Sequence, residues 1–149
     1  MYYKDLQAGD IIGVKRFLYS HYGVYIGENR VIHYSGDGGD FKGRKTVRYG
    51  TMEEFLDGKK EFFELVFPET HEKPEKEARY ETQGESYHLY SPEETVGRAK
   101  SRLGEDKYNL ALNNCEHFAI WCKTGISESY QVKTVIKTVV KVVEKIYEM

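Results

Sequence analysis

The first half of the chain alternates short apolar runs with clusters of glycine, aspartate and asparagine. Runs of this kind, rich in β-branched and aromatic side chains, are typical of strands separated by turns. The pattern predicts strands at residues 11–14, 22–26, 31–34, 46–49 and 61–67. The second and third of these runs flank Gly27, Glu28 and Asn29, which predicts a β-hairpin.

Helix-start signals appear at three places along the chain. A serine, threonine or asparagine before an apolar stripe can cap the first turn of a helix, and a glutamate three residues later completes a capping box. A glycine beyond the stripe indicates where the helix ends. The predicted helices start at Thr51, Ser91 and Asn114, and they end at Gly58, Gly104 and Gly125.

The remaining segments give weaker signals. Residues 108–112 have the composition of another strand, and residues 68–84 that of a charged, solvated loop or an irregular hairpin. From residue 132 to residue 147, apolar side chains recur at helical spacing. This spacing predicts an amphipathic C-terminal helix with one basic face, which carries Lys133, Lys137, Lys141 and Lys145.

Composition excludes several classes of protein. A chain of 149 residues that is 40% hydrophobic and 14% aromatic is expected to fold as one domain around its own core. The formal net charge of -2 argues against nucleic acid as a partner. Signal-peptide features are missing from the first residues, and the apolar runs are shorter than a membrane span. We therefore expect a cytoplasmic protein.

The two cysteines, Cys115 and Cys122, are seven residues apart on one predicted helix. At a rise of ~1.5 Å per residue their Cα atoms lie about 10 Å apart, which is too far for a disulfide. Their spacing does not match a zinc site, and free thiols are typical of a reducing compartment. We expect Cys122 to lie in the core.

Cys115 has the position of a reactive thiol. It falls in the first turn of its helix, where free N–H groups and the helix dipole favour the thiolate. An activated cysteine also needs a base, and the base needs a group that orients it. His117 lies about 200° around the helix at ~3.6 residues per turn, so it points away from Cys115.

His21 and His33 border the predicted hairpin and are better candidates for the base and its orienting group. A three-residue loop of Gly27, Glu28 and Asn29 would make them diagonal neighbours on one face of the sheet, whereas a two-residue loop would place them on opposite faces. Taken singly, a helix-start cysteine or a strand histidine is more often structural than catalytic. Spacing alone therefore leaves both alternatives open.

Three segments together resemble the lecithin:retinol acyltransferase family, which includes the phospholipase A and acyltransferase proteins. They are residues 21–27 (His-Tyr-Gly-Val-Tyr-Ile-Gly), residues 31–33 (Val-Ile-His) and residues 114–118 (Asn-Cys-Glu-His-Phe). The resemblance covers residues 5 to 135. It implies an α+β, circularly permuted papain-like fold in which an antiparallel sheet packs against helices and the nucleophile starts a helix. In this scheme residues 1–127 form the catalytic domain and residues 128–149 the lysine-rich helix.

The chemistry is also implied by the resemblance. Cys115 would attack a glycerophospholipid ester and pass the acyl group, through a thioester, to water, an amine, a lysolipid or retinol. His21 matches the base, His33 the third member, and Arg16 an arginine that could assist the oxyanion. The family chemistry needs neither a cofactor nor a metal ion.

Two departures from the family refine this expectation. The stretch between His33 and Cys115 is too short for the segment that distinguishes the retinol enzyme, which favours phospholipase A and acyltransferase activity over retinol esterification. Related proteins usually end in a hydrophobic anchor, while this chain has a lysine at every fourth position. That helix would either lie on an anionic membrane or pack on its own domain. The alternative functions are a desumoylating cysteine isopeptidase and an inactive module that binds a membrane or a partner.

Overall fold

The computed structural model describes residues 6–68, 80–82 and 85–147. Its strands are β1 (Ile11–Lys15), β2 (Ser20–Gly27), β3 (Arg30–Ser35), β4 (Thr46–Thr51), β5 (Glu61–Val66), β6 (Tyr80–Thr82), β7 (Glu85–Tyr87) and β8 (Lys141–Ile146). Its helices are α1 (Met52–Leu56), α2 (Pro92–Ser101), α3 (Cys115–Thr124) and α4 (Ser129–Thr134), and α4 continues into a π-helical segment, Val135–Val139.

Six strands form one antiparallel sheet in the order β4-β3-β2-β1-β5-β8, and β6 pairs with β7 in a separate two-stranded antiparallel sheet. The five strands predicted in the first half of the chain are all present, which confirms an α+β fold with an antiparallel sheet. The predicted helix starts are also confirmed, because Thr51, Ser91 and Asn114 each cap a helix through a reciprocal capping box.

The sheet separates two apolar cores. Side chains alternate between the faces of a strand, so neighbouring residues of β1, β2 and β3 enter different cores. One core contains Phe118 of α3, together with Ile11, Val24 and Ile32. The other contains Phe55 of α1, together with Ile12, Tyr25 and Val31. Helix α3 is thereby fixed against one face of the sheet and α1 against the other.

The β2–β3 hairpin differs from the prediction in its loop but not in its register. The turn is formed by two residues, Glu28 and Asn29, which both have positive φ values (52° and 66°) as a type I′ turn requires. Gly27 pairs with Arg30, but a bulge at Ile26 shifts the register, so that Gly23 lies opposite His33. The extra residue restores the pairing that a three-residue loop was expected to produce.

The strand predicted at residues 108–112 is wrong. This stretch is a tight turn in which Asn109 and Asn113 exchange backbone hydrogen bonds of 3.1 and 2.8 Å. The Asn109 side-chain oxygen accepts from the N–H groups of Ala111 and Leu112, at 2.9 and 3.0 Å. A short polar side chain that bonds to nearby backbone groups competes with a sheet ladder, and here that local bonding prevails.

The predicted C-terminal helix is also wrong beyond residue 139. Strand β8 pairs with β5 from Lys141 opposite Val66 to Ile146 opposite Glu61. β-Branched residues suit this edge position, and the pairing satisfies backbone groups that β5 would otherwise leave open.

The lysines at every fourth position therefore do not share a helix face. Lys133 lies in α4 and pairs with Glu116 at 3.1 Å, while Lys145 lies in β8 and pairs with Glu64 at 3.5 Å. In the part of the chain that the structure describes, no helix has the length and apolarity to cross a bilayer.

Candidate active site

Cys115 is the first residue of α3, as the sequence predicts. The Asn114 side chain caps the helix by accepting from the His117 N–H at 3.0 Å, and His117 Nδ1 accepts from the Asn114 N–H at 3.2 Å. Because His117 Nδ1 is an acceptor, its Nε2 carries the proton and donates to the Ser129 hydroxyl at 2.7 Å. His117 is thus held by helix capping, with both ring nitrogens already bonded.

The sulfur of Cys115 is buried beside the start of β2. The backbone N–H groups of Tyr22 and Glu116 donate toward it. The pairing of β2 with β3 begins at Gly23, so Tyr22 lies one residue before the β2–β3 ladder. Burial, together with the charges of Asp40 and Glu116, raises the pKa of the Cys115 thiol to about 12, although the two N–H groups oppose the rise.

The resting residue is therefore a thiol. The N–H group at the helix start does act in favour of the thiolate, as the sequence predicts, but loss of hydration outweighs it in this state.

His21 and His33 form a buried pair on neighbouring strands. His21 Nε2 and His33 Nδ1 are 2.8 Å apart, and the ring centroids are separated by 5.0 Å. Gly23 lies opposite His33, and a side chain there would approach the Cβ atom of His33 to 3.2 Å and the ring of Phe55 to 3.0 Å. Glycine at this position leaves space for the two imidazoles to meet diagonally, with Phe55 packed 5.3 Å from the His21 ring.

Both imidazoles are neutral near pH 7. Burial lowers the pKa of His21 to about 4; the Asp40 carboxylate opposes this shift, and the Arg16 charge adds to it. Burial, together with the neighbouring charge of His21, lowers the pKa of His33 to about 3. His21 Nδ1 is buried and makes no hydrogen bond. A tautomer with the proton on Nε2 satisfies His33 Nδ1 and leaves His21 Nδ1 as an acceptor.

The neutral pair should destabilise the protein in mild acid. The unfolded chain protonates both histidines below about pH 6.5, whereas in the folded state the pKa values are about 4 and about 3. Within this window the unfolded state binds more protons, so the free energy of unfolding rises with pH. The slope should approach about 1.4 kcal/mol per pH unit for each histidine.

Urea unfolding between about pH 4 and about pH 7 measures this slope. The variant His33→Gln should show a smaller slope, because one of the two buried bases is gone. A free energy of unfolding that is flat across the window would contradict the neutral pair.

A carboxylate that sequence reasoning missed faces the pair. Asp40 Oδ2 lies 3.6 Å from His21 Nδ1 and accepts from Arg16 Nε at 2.9 Å and from the Tyr19 hydroxyl at 2.6 Å. Burial raises the pKa of Asp40, but the bond from Arg16, the charge of His21 and the bond from Tyr19 together bring the pKa below its ordinary value. Asp40 is thus a carboxylate at neutral pH. Its place in a glycine-rich loop is the only sequence signal we find for it.

Arg16 lies close to the histidines but is bonded to other groups. Besides Asp40, its guanidinium donates to the backbone carbonyls of Phe55 and Leu56, at 2.7 and 3.1 Å. It lines a polar cavity of about 340 Å³ with His33, while the cavity that contains Cys115 is a different one. The structure therefore brings Arg16 to Asp40 and does not place it in the cavity of Cys115.

The cavity in front of Cys115 is open and has a volume of about 510 Å³. Asn114, Glu116 and Lys133 provide polar groups near the cysteine, and most of the wall is aromatic or aliphatic. The apolar wall consists of Leu18, Tyr19, Tyr22, Phe41, Tyr108 and Leu110. Within residues 6–68, 80–82 and 85–147, no group of histidine, cysteine and acidic side chains has the arrangement of a metal site.

Comparison with known proteins matches this chain to one family. The family model for lecithin retinol acyltransferase matches residues 4–128. The lecithin retinol acyltransferase of Bos taurus is 30% identical over 145 residues, which cover 83% of this chain and 56% of that protein. Phospholipase A and acyltransferase 3 of Homo sapiens is 25% identical over 135 residues, which cover 87% of this chain and 78% of that protein.

Phospholipase A and acyltransferase 2 of Homo sapiens is 27% identical over 130 residues. The chain spans a little more than half the length of the curated lecithin retinol acyltransferases that it matches. The family match nevertheless extends over most of this chain and includes both histidines and the helix-start cysteine. The chain belongs to the lecithin retinol acyltransferase family.

Proposed function

We propose that this chain is a cysteine-dependent phospholipase A and acyltransferase. It moves a fatty acyl group from a glycerophospholipid to water, an amine or a lysolipid through an acyl-cysteine thioester. The proposal rests on the buried 2.8 Å contact between His21 and His33, together with Cys115 at a helix start, where its sulfur faces the backbone N–H of Tyr22, the residue after His21. Membership of the family and the names of the relatives support acyl transfer and phospholipid cleavage as the class of chemistry. We also assign the fold as circularly permuted and papain-like.

The reaction starts from a neutral thiol and a neutral imidazole. As the Cys115 sulfur bonds to the ester carbonyl carbon, its proton moves to His21 Nδ1, and the carbonyl oxygen becomes an oxyanion. The Cys115 N–H at the helix start is suited to receive this oxyanion. Collapse breaks the ester C–O bond, the lysolipid oxygen takes the proton from His21, and the acyl group remains on sulfur. Water or another acceptor then attacks the thioester carbonyl carbon and gives its proton to His21. The C–S bond breaks, and the Cys115 sulfur takes that proton back.

His33 and Asp40 support His21 in different ways. His33 Nδ1 accepts a hydrogen bond from the Nε2–H group of His21, which fixes the ring orientation and directs His21 Nδ1 away from the pair. Asp40 lies beside Nδ1 and stabilises the imidazolium that forms when the thiol proton arrives. Arg16 and Tyr19 hold Asp40 in position. We therefore assign Arg16 to the positioning of Asp40, and not to the oxyanion role that the resemblance implies.

Asp40→Asn should separate this electrostatic role from a structural one. Without the charge the imidazolium is less stable, so kcat/KM for phospholipid hydrolysis should fall by about ten- to a hundredfold. Asp40 raises the pKa of His21, so the acid limb of the pH profile should also move to lower pH. Asp106→Asn, which alters an exposed pair with Arg44, is the control and should leave both unchanged. If kcat/KM falls but its acid limb stays at the same pH, Asp40 does not act on His21 through its charge.

A screen of lipid classes tests the proposed function. Phosphatidylcholine, phosphatidylethanolamine and phosphatidylserine are each incubated with the protein, and free fatty acid and lysolipid are measured by mass spectrometry. A parallel reaction offers retinol as acceptor, and another offers a ubiquitin-like conjugate. We expect fatty acid release from phospholipid without cleavage of the conjugate. Cleavage of the conjugate alone would identify an isopeptidase, and activity toward neither class would identify an inactive binding module. A cytoplasmic location at the membrane surface remains a prediction.

A further inference from the structure

Large apolar side chains surround the cavity mouth and are exposed to solvent. Phe17 and Leu18 form the tip of the β1–β2 turn, and their exposed fractions are 85% and 89%. Leu110 and Leu112 project from the turn at residues 109–113 and are 67% and 69% exposed. Phe41, in the loop between β3 and β4, is 45% exposed. We call these five residues the apolar rim.

The rim is continuous with the candidate active site. Leu18, Phe41 and Leu110 also line the cavity that contains Cys115, so the same side chains form both the wall and the outer edge. Phe17 and Leu112 do not line the cavity and extend the rim outward. An exposed apolar surface that runs directly into a catalytic cavity is typical of an interaction site.

The backbone of the β1–β2 turn holds Phe17 and Leu18 in their exposed position. Leu18 has a φ of 76°, a conformation that costs an L residue free energy unless the surroundings impose it. The turn is closed by the Arg16 N–H, which donates to the Tyr19 carbonyl at 2.7 Å. Arg16 and Tyr19 are in turn bonded to Asp40. The contacts that hold Asp40 beside His21 therefore also hold Phe17 and Leu18 outward.

Basic groups accompany the rim. Lys42 and Lys107 are both exposed. Lys42 follows the cavity residue Phe41 in the chain, and Lys107 precedes the cavity residue Tyr108. Lys133 lies in the cavity wall, with 64% of its side chain exposed, and pairs with Glu116. Apolar side chains next to lysines match the interface of an anionic bilayer, where the tips enter the acyl region and the ammonium groups meet phosphates.

We propose that the apolar rim docks on a phospholipid bilayer and brings the cavity mouth to the lipid surface. The inference rests on the proposed phospholipase function and adds how the substrate arrives. Every methylene of an acyl chain that enters water costs free energy, so a two-chain lipid passes more readily from the bilayer into an apolar cavity that touches it. This surface replaces the lysine-rich helix of the sequence prediction, which ends in the structure before Lys141 and Lys145.

The test uses the double variant Phe17→Ser/Leu112→Ser, which leaves the cavity wall intact. The matched control is Val142→Ser/Ile146→Ser, which alters two exposed apolar residues of the edge strand β8, outside the loops around the cavity. Cosedimentation with mixed phosphatidylcholine and phosphatidylserine vesicles measures binding. Hydrolysis of a short-chain phosphatidylcholine, kept below its critical micelle concentration, measures the chemistry without a bilayer.

We expect the rim variant to lose at least about tenfold in vesicle affinity, while its activity on the monomeric substrate and the vesicle affinity of the β8 variant stay unchanged. Unchanged vesicle affinity of the rim variant, or a wild-type protein that does not bind vesicles, would overturn the proposed surface. An equal loss on monomeric substrate would overturn it too. If the wild-type protein binds vesicles through the rim but hydrolyses neither substrate, the surface stands and the proposed function fails.

Discussion

Replacing Cys115 with serine is expected to lower kcat/KM for phospholipid hydrolysis by at least about a thousandfold. Serine has nearly the same size and can accept the same N–H groups from Tyr22 and Glu116. Its hydroxyl is a much weaker nucleophile than sulfur, and the neutral imidazole of His21 is a weak base for it. The fold should be retained, as measured by circular dichroism and thermal unfolding.

Cys122 provides the matched control for this substitution. It lies on the same helix, is fully buried and belongs to the core. The variant Cys122→Ala should lose about 1 kcal/mol or more of stability through a small cavity, with kcat/KM close to that of the unaltered protein. If Cys115→Ser keeps a tenth of the activity, Cys115 is not the nucleophile.

His21→Gln is expected to produce the second large loss, of about a hundred- to ten-thousandfold in kcat/KM. Glutamine can still donate a hydrogen bond to His33 Nδ1, but it cannot take a proton from the thiol. The loss should therefore appear mainly in kcat, because the apolar wall that binds the acyl chain is unchanged. Steady-state kinetics on a monomeric phospholipid separates kcat from KM.

The control for His21→Gln is a second buried histidine that the mechanism does not use. His117 completes the capping box of α3, and glutamine is a standard residue at that position of the box. His117→Gln should preserve the cap and retain most of the activity, losing only the contact with Ser129. Comparable losses in both variants would indicate a structural role for His21.

Local signals made part of the fold predictable. The helix starts at Thr51, Ser91 and Asn114 depend on side chains within three residues of each cap, and the structure has all three. The approach of His21 to His33 was also predicted, although by the wrong loop. The two-residue turn would have separated the rings, and the bulge at Ile26 compensates for it. The sequence pattern does not show where a bulge occurs.

The parts that were wrong depend on distant partners. The residues of β8 have helical spacing, but the open edge of β5, some eighty residues earlier, offers a full hydrogen-bond ladder. The turn that begins at Asn109 depends on a side chain that bonds to its own backbone, which composition does not distinguish from a strand.

The chemistry of the site shows the same division. The position of Cys115 at a helix start is a local property and was predicted. Its high pKa comes from burial by elements that are remote in sequence, and this effect outweighs the helix start. Asp40 reaches His21 only through the folded β3–β4 loop, with Arg16 and Tyr19 as anchors. A sequence motif cannot report such a contact.

Trapping of the acyl-enzyme would show whether Cys115 carries the acyl group during the reaction. The protein is mixed with phosphatidylcholine vesicles, quenched in acid after a short delay and examined by intact mass spectrometry, with peptide mapping of the adduct. We predict a mass increase of one fatty acyl group, located on Cys115, removed by neutral hydroxylamine and absent from Cys115→Ser. Phospholipid hydrolysis by Cys115→Ser at the rate of the unaltered protein, or an acyl group on any other residue, would rule out Cys115 as the nucleophile.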